Sequence, residues 1–66
     1  MKITINGQAK EVANAHTIAD IVGQFCKNSK NIMTEVNGNI VTNNHWGNTP
    51  VKEGDTIELV VFVGGG

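Results

Sequence analysis

Only one stretch of this 66-residue chain has helical periodicity, and that narrows its possible folds more than any other feature. Ile18, Ile21, Val22, Phe25 and Cys26 fall at i, i+3, i+4, i+7 and i+8, one apolar stripe of a helix. Thr17 suits the N-cap, since its hydroxyl can accept from the free N–H groups of the first turn. Asp20 places a negative charge where a helix N-terminus favours one. The spacing predicts a helix over 18–27, about three turns, stopped by Asn28-Ser29-Lys30-Asn31.

The rest of the chain alternates with period two. Met1, Ile3 and Ile5 oppose Lys2, Thr4 and Asn6, which predicts a half-buried strand. Asn6-Gly7 tolerates the positive φ angles of a type I′ turn, so residues 8–12 read as the returning strand. Ile32, Thr34 and Val36 share one face of a third strand. Asn37-Gly38-Asn39 is a turn, and Ile40-Val41 a short return. Residues 43–50 have turn chemistry around Trp46, which is expected to cover one edge of the core. In the last strand, 56–63, Ile57, Leu59, Val61 and Val63 are expected to face the core. The opposite set begins polar, with Thr56 and Glu58, and ends apolar, with Val60 and Phe62. A solvated face should have stayed polar, so Val60 and Phe62 are read as exposed. Two strands, a helix and three more strands predict an α+β fold, with one helix packed across a mixed sheet. The helix supplies a crossover that lets the first and last strands run parallel.

Size and composition exclude several function classes. A chain this short is one domain with a thin core and no deep enclosed active site. Formal net charge is -1, and the five basic residues are scattered lysines. Nucleic-acid backbone binding needs clustered cations. Asparagine, frequent between positions 28 and 48, reads as turn chemistry. Cys26 is the single cysteine, so no internal disulfide is possible. No signal peptide or apolar run of membrane-spanning length is visible, so the expected location is the cytoplasm, with no membrane partner. His16 and His45 lie in expected loops and Cys26 on the core stripe, which is neither a nucleophile pair nor a metal-ligand pattern. The carboxylates are dispersed, and no pair stands out for acid–base work. The chain is therefore read as a non-enzyme.

Gly64-Gly65-Gly66 has no turn explanation. A frayed end or a linker is the bland alternative. Three consecutive glycines are improbable at an average usage of ~7%. The expected organisation is a domain over 1–63 and a flexible tail over 64–66. Extended, three residues reach about 10 Å, and without Cβ atoms they enter a slot too narrow for other residues. The expected reactive group is the carboxylate of Gly66. A partner must activate it, most simply as a mixed anhydride with a nucleotide. An amine nucleophile would then make the protein a covalent tag, whereas sulfide or a persulfide would make a thiocarboxylate. An interaction module with an inert tail is the remaining alternative. Val60 and Phe62 would dock the partner.

At this point the chain resembles a known family, the small sulfur carriers of the β-grasp, ubiquitin-like fold (the ThiS/MoaD family), and among them the thiamine-biosynthesis type. The resemblance covers essentially the whole chain. It is carried by Met1-Lys2-Ile3-Thr4-Ile5-Asn6-Gly7, Thr17-Ile18-Ala19-Asp20-Ile21-Val22, Val36-Asn37-Gly38-Asn39-Ile40-Val41, Trp46, Gly54-Asp55-Thr56-Ile57-Glu58-Leu59 and Val63-Gly64-Gly65-Gly66. It implies that a ThiF-like adenylating enzyme uses ATP and magnesium to make an acyl-adenylate at Gly66, the carrier itself binding no cofactor. A sulfur donor such as a cysteine desulfurase then supplies the sulfur for a thiocarboxylate. A ThiG-like thiazole synthase takes it into the thiazole of thiamine. Gly64 and Gly65 would thread the partner's channel, and Val60 and Phe62 match the family's apolar patch. Molybdopterin or cysteine and homocysteine synthesis are alternative destinations, and isopeptide formation through Gly66 an alternative chemistry. Many relatives have a proline and a basic residue where Thr42 and Asn43 stand, and an aliphatic residue at the position of Thr34.

Overall fold

The computed structural model describes residues 1–27 and 31–62. Strands β1 (Lys2–Ile5) and β2 (Gln8–Glu11) lead to helix α1 (Ile18–Phe25). Strands β3 (Ile32–Val36) and β4 (Asn39–Val41), a 3₁₀ helix (Asn43–Asn48) and β5 (Thr56–Val61) follow. The five strands form one sheet in the order β2-β1-β5-β3-β4. β1 and β5 are parallel in its centre, as expected, and the other pairs are antiparallel. This is the mixed β-grasp sheet, with the helix side carrying the core.

Both hairpins are fixed by Asn-Gly pairs at positive φ. Asn6 and Gly7 stand at 51° and 82°, Asn37 and Gly38 at 52° and 87°, the backbone a type I′ turn demands. The asparagines do more than turn the chain. Asn6 accepts the Leu59 N–H on its Oδ1 at 2.8 Å. Asn37 accepts the Thr56 N–H at 2.9 Å and donates to Asp55 Oδ1 at 3.0 Å. Each turn is thereby tied to β5. Composition suggested turn formation alone, because such a tie depends on which strand lies beside the turn.

The helix starts where expected and ends earlier. Its N-terminus is closed by the Asp20 carboxylate, which accepts the N–H of His16 at 2.8 Å and of Thr17 at 3.0 Å. It ends at Phe25, and Cys26 is already extended, so the expected last turn through residue 27 is absent. No basic residue in the last turn complements the helix dipole. The two backbone N–H bonds hold the Asp20 carboxyl below its ordinary value. A depressed carboxyl stabilises the fold above its unfolded-state pKa, and that contribution is lost as pH falls through its folded-state pKa. Asp20→Ala should therefore lower the melting temperature at neutral pH, and its gap from the unaltered protein should close as the solution is acidified. A gap unchanged well below the carboxylate range would remove the ionised cap from the account.

The core lies between α1 and the sheet. Ile3, Ile18, Ile21 and Ile57 are fully buried, with Ile5, Val22, Ile32, Val36 and Leu59 around them. Trp46 joins them at 8% exposure. Its segment is a 3₁₀ helix rather than a plain turn, packed against α1 and β3. The Trp46 Nε1–H is shared between Thr34 Oγ1 and the Val41 carbonyl, both at 3.1 Å, and the Thr34 hydroxyl donates to the same carbonyl at 2.6 Å. Thr34, fully buried, is thus satisfied on both sides. A hydroxyl with two partners avoids the desolvation cost of a buried polar group, so the core tolerates threonine at this position.

Two residues assigned to the core lie outside it. Val61 is 60% exposed and Phe25 39%. Alternation assigns Val61 to the helix side of the sheet correctly, but α1 ends at Phe25 and leaves the end of β5 uncovered. Cys26, on the same stripe, is only half-buried. Val63, the other expected core position at this end, lies outside the described residues.

Candidate functional site

The end of β5 has opposite characters on its two backbone edges. Residues 56, 58, 60 and 62 direct their peptide groups at β3. The Phe62 N–H reaches the Asn31 carbonyl at 3.0 Å, and the Asn37 N–H reaches the Thr56 carbonyl at 2.7 Å. Phe62 is therefore held in strand register one residue beyond β5. The side chains of Val60 and Phe62 are 42% and 52% exposed, as expected from the strand pattern. Val60 pairs with Met33, and Glu58 with Glu35, which also pairs with Ile40. These side chains share the open face of the sheet, since directly paired residues point the same way. The face so formed is apolar near the strand end and negatively charged beside it. Phe62→Asp should leave the melting temperature nearly unchanged, as an exposed substitution costs about 0.5 kcal/mol or less. It should weaken docking to a partner enzyme roughly tenfold or more, given ~1.5–3 kcal/mol for a buried aromatic side chain. Loss of the fold in this variant would show that Phe62 is a core residue.

Gly64, Gly65 and Gly66 lie outside the described residues. Other candidate chemistry is not assembled. His16 and His45 are exposed. Burial pushes the Cys26 thiol up, away from the thiolate a nucleophile needs. Among the described residues no group of three His, Cys, Asp or Glu side chains could hold a metal ion. No described helix is long and apolar enough to cross a membrane. An open concavity of about 340 Å³ lies between α1 and Trp46, lined by Ala19, Val22, Gly23, Cys26 and Lys27. It brings no acid and base together. Sequence reasoning missed Ile40 and Val61, the two most exposed large apolar residues among those described. Ile40 had a signal, because its neighbour Val41 takes the inward position in a three-residue strand.

A family model described as the ThiS family matches residues 3–66. The chain belongs to the ThiS family. A solved structure agrees with this membership over its full length. The crystal structure of the thiamine biosynthesis protein ThiS from Geobacter metallireducens superposes with a TM-score of 0.84 at 28% identity, covering all of both chains. The solution structure of a thiamine biosynthesis protein from the same organism gives 0.78 at 28% identity, covering 88% of that chain. In sequence, a thiazole synthase of Paramagnetospirillum magneticum is 32% identical over all 66 residues. The chain spans only 20% of that relative's length. An uncharacterized protein, ycf40, of Trieres chinensis is 34% identical over 62 residues, and 85% of its length is covered. The family match extends over Gly64-Gly65-Gly66.

Proposed function

We propose that this chain is a sulfur carrier of thiamine biosynthesis, a cosubstrate rather than an enzyme, working in the cytoplasm. Membership of the ThiS family over residues 3–66, glycines included, carries the reading. In this scheme a carboxylate oxygen of Gly66 attacks the α-phosphorus of ATP in a ThiF-like enzyme, with magnesium on the phosphates, and pyrophosphate leaves. The product is an acyl-adenylate, a mixed anhydride with a good leaving group. Sulfide attacking the carbonyl carbon expels AMP and leaves a thiocarboxylate. A persulfide from a cysteine desulfurase expels AMP likewise, giving an acyl disulfide that a thiol then reduces to the thiocarboxylate. A thiazole synthase takes up the sulfur. Gly64 and Gly65 pass through a channel that excludes side chains, and Val60 and Phe62 seat the domain at its mouth. The similarity of the whole chain to a fifth of a thiazole synthase favours thiamine over molybdopterin as the destination. Incubation with ATP, the adenylating enzyme and a sulfur donor should raise the intact mass by the oxygen-to-sulfur difference. Lysine conjugates in place of that product would reverse the reading in favour of a protein modifier.

A further inference from the structure

β5 is a central strand at its start and an edge strand at its end. Its odd-numbered residues direct their peptide groups at β1. The Asn6 N–H reaches the Ile57 carbonyl at 3.0 Å, and the Leu59 N–H reaches the Asn6 side chain at 2.8 Å. β1 stops at Ile5 and its chain turns away at Asn6-Gly7. Alternation along the strand therefore aims the Leu59 carbonyl, and the N–H and carbonyl of Val61, past the end of β1. Among the described residues these three groups have no hydrogen-bond partner.

A concavity of about 280 Å³ lies beside this edge, walled by Ile5, Asn6, Gln8, Lys10, Phe25 and Val61. Among the described residues Phe25 and Val61 are the two large helix-side apolar residues left exposed. A strand apolar on both faces is the pattern of one covered on both faces. Val60 and Phe62 account for one face, and Val61 with Phe25 for the other.

We propose that this notch receives an extended segment of thiazole synthase, added as a strand to the free edge of β5. The proposal rests on the carrier function above. One carbonyl, one N–H and a second carbonyl in strand register are met by an antiparallel or parallel backbone, and by few other ligands. Phe25 and Val61 call for an apolar side chain on that segment. Lys10, the one charged side chain lining the notch among the described residues, calls for an acidic one. The notch adjoins Val60 and Phe62, so a single partner covers both faces at once. Pairing at Val61 also fixes the direction in which the chain leaves β5, which a partner accepting residues 63–66 requires. A second copy of this chain would satisfy the same backbone groups but has no use for that direction.

The test is residue-resolved amide exchange of the full chain, free and bound to purified thiazole synthase. The Val61 N–H should slow at least about tenfold on binding, while the Phe62 N–H, already bonded to Asn31, changes little. Val61→Pro removes a donor that does not face β3, a position a strand tolerates. It should weaken binding about three- to tenfold, as the loss of one hydrogen bond does. Lys10→Glu, on the rim, should weaken binding without touching β5, and serves if Val61→Pro disturbs the strand. Tight binding and sulfur transfer with Val61 unprotected would overturn the notch and leave the carrier function standing. Failure of the unaltered protein to bind thiazole synthase would remove the thiamine destination and the notch with it. Protection of Val61 that depends on carrier concentration alone, with dimers in sedimentation, would assign the edge to a second copy and overturn the proposal.

Discussion

Gly65→Val will give a folded protein that forms or transfers thiocarboxylate about a hundredfold more slowly. The fold is spared because Leu59, six residues before the change, is the last buried core residue among those described. The chemistry would suffer because the channel proposed for Gly64 and Gly65 would have no room for a branched side chain. A displacement of about 1 Å from the attacking geometry is enough to cost ~10²-fold. Thermal unfolding should match the unaltered protein, and intact mass after incubation with ATP, adenylating enzyme and sulfur donor should show little of the sulfur-bearing product. Normal transfer by this variant would end the narrow-channel account of Gly64 and Gly65. Loss of folding would move the tail into the domain.

Trp46→Ala will unfold most of the population at ambient temperature. A 66-residue domain has a stability of roughly 3–10 kcal/mol. Truncation of a buried tryptophan costs about 3–5 kcal/mol, comparable with the lower part of that range. The ring closes the gap between α1 and β3, and its Nε1–H meets Thr34 and Val41. The neighbouring helix is short and its last turn absent, so the site has little else to close over the void. Trp46→Phe should fall between, retaining much of the ring and losing the shared hydrogen bond. Urea midpoints followed by circular dichroism decide the matter. A midpoint for Trp46→Ala equal to that of the unaltered protein would show that the indole is not part of the core.

Residues near one another in the chain were legible in the sequence. The Asn6-Gly7 and Asn37-Gly38 turns, the Asp20 charge at the helix start and the faces of the strands follow from φ preference, charge placement and period. Val60 and Phe62 were found because an exposed face became apolar where it should have stayed polar. Thr34 was not understood, because its two partners, at positions 41 and 46, arrive from a strand and a 3₁₀ helix whose placement no local pattern specifies. Val61 and Phe25 were misassigned for a related reason. Period says which side of a sheet a residue faces, not how far along that side the cover extends.

The sequence by itself determined the strands, the start of the helix, their order and the parallel crossover, because these depend on neighbours a few bonds away. Only the tertiary structure decided that β5 outruns both β1 and α1. That mismatch of element ends turns a core strand into one with two exposed apolar faces and a backbone edge that has no partner among the described residues. It depends on where three separate segments stop in space, which is a property of their packing.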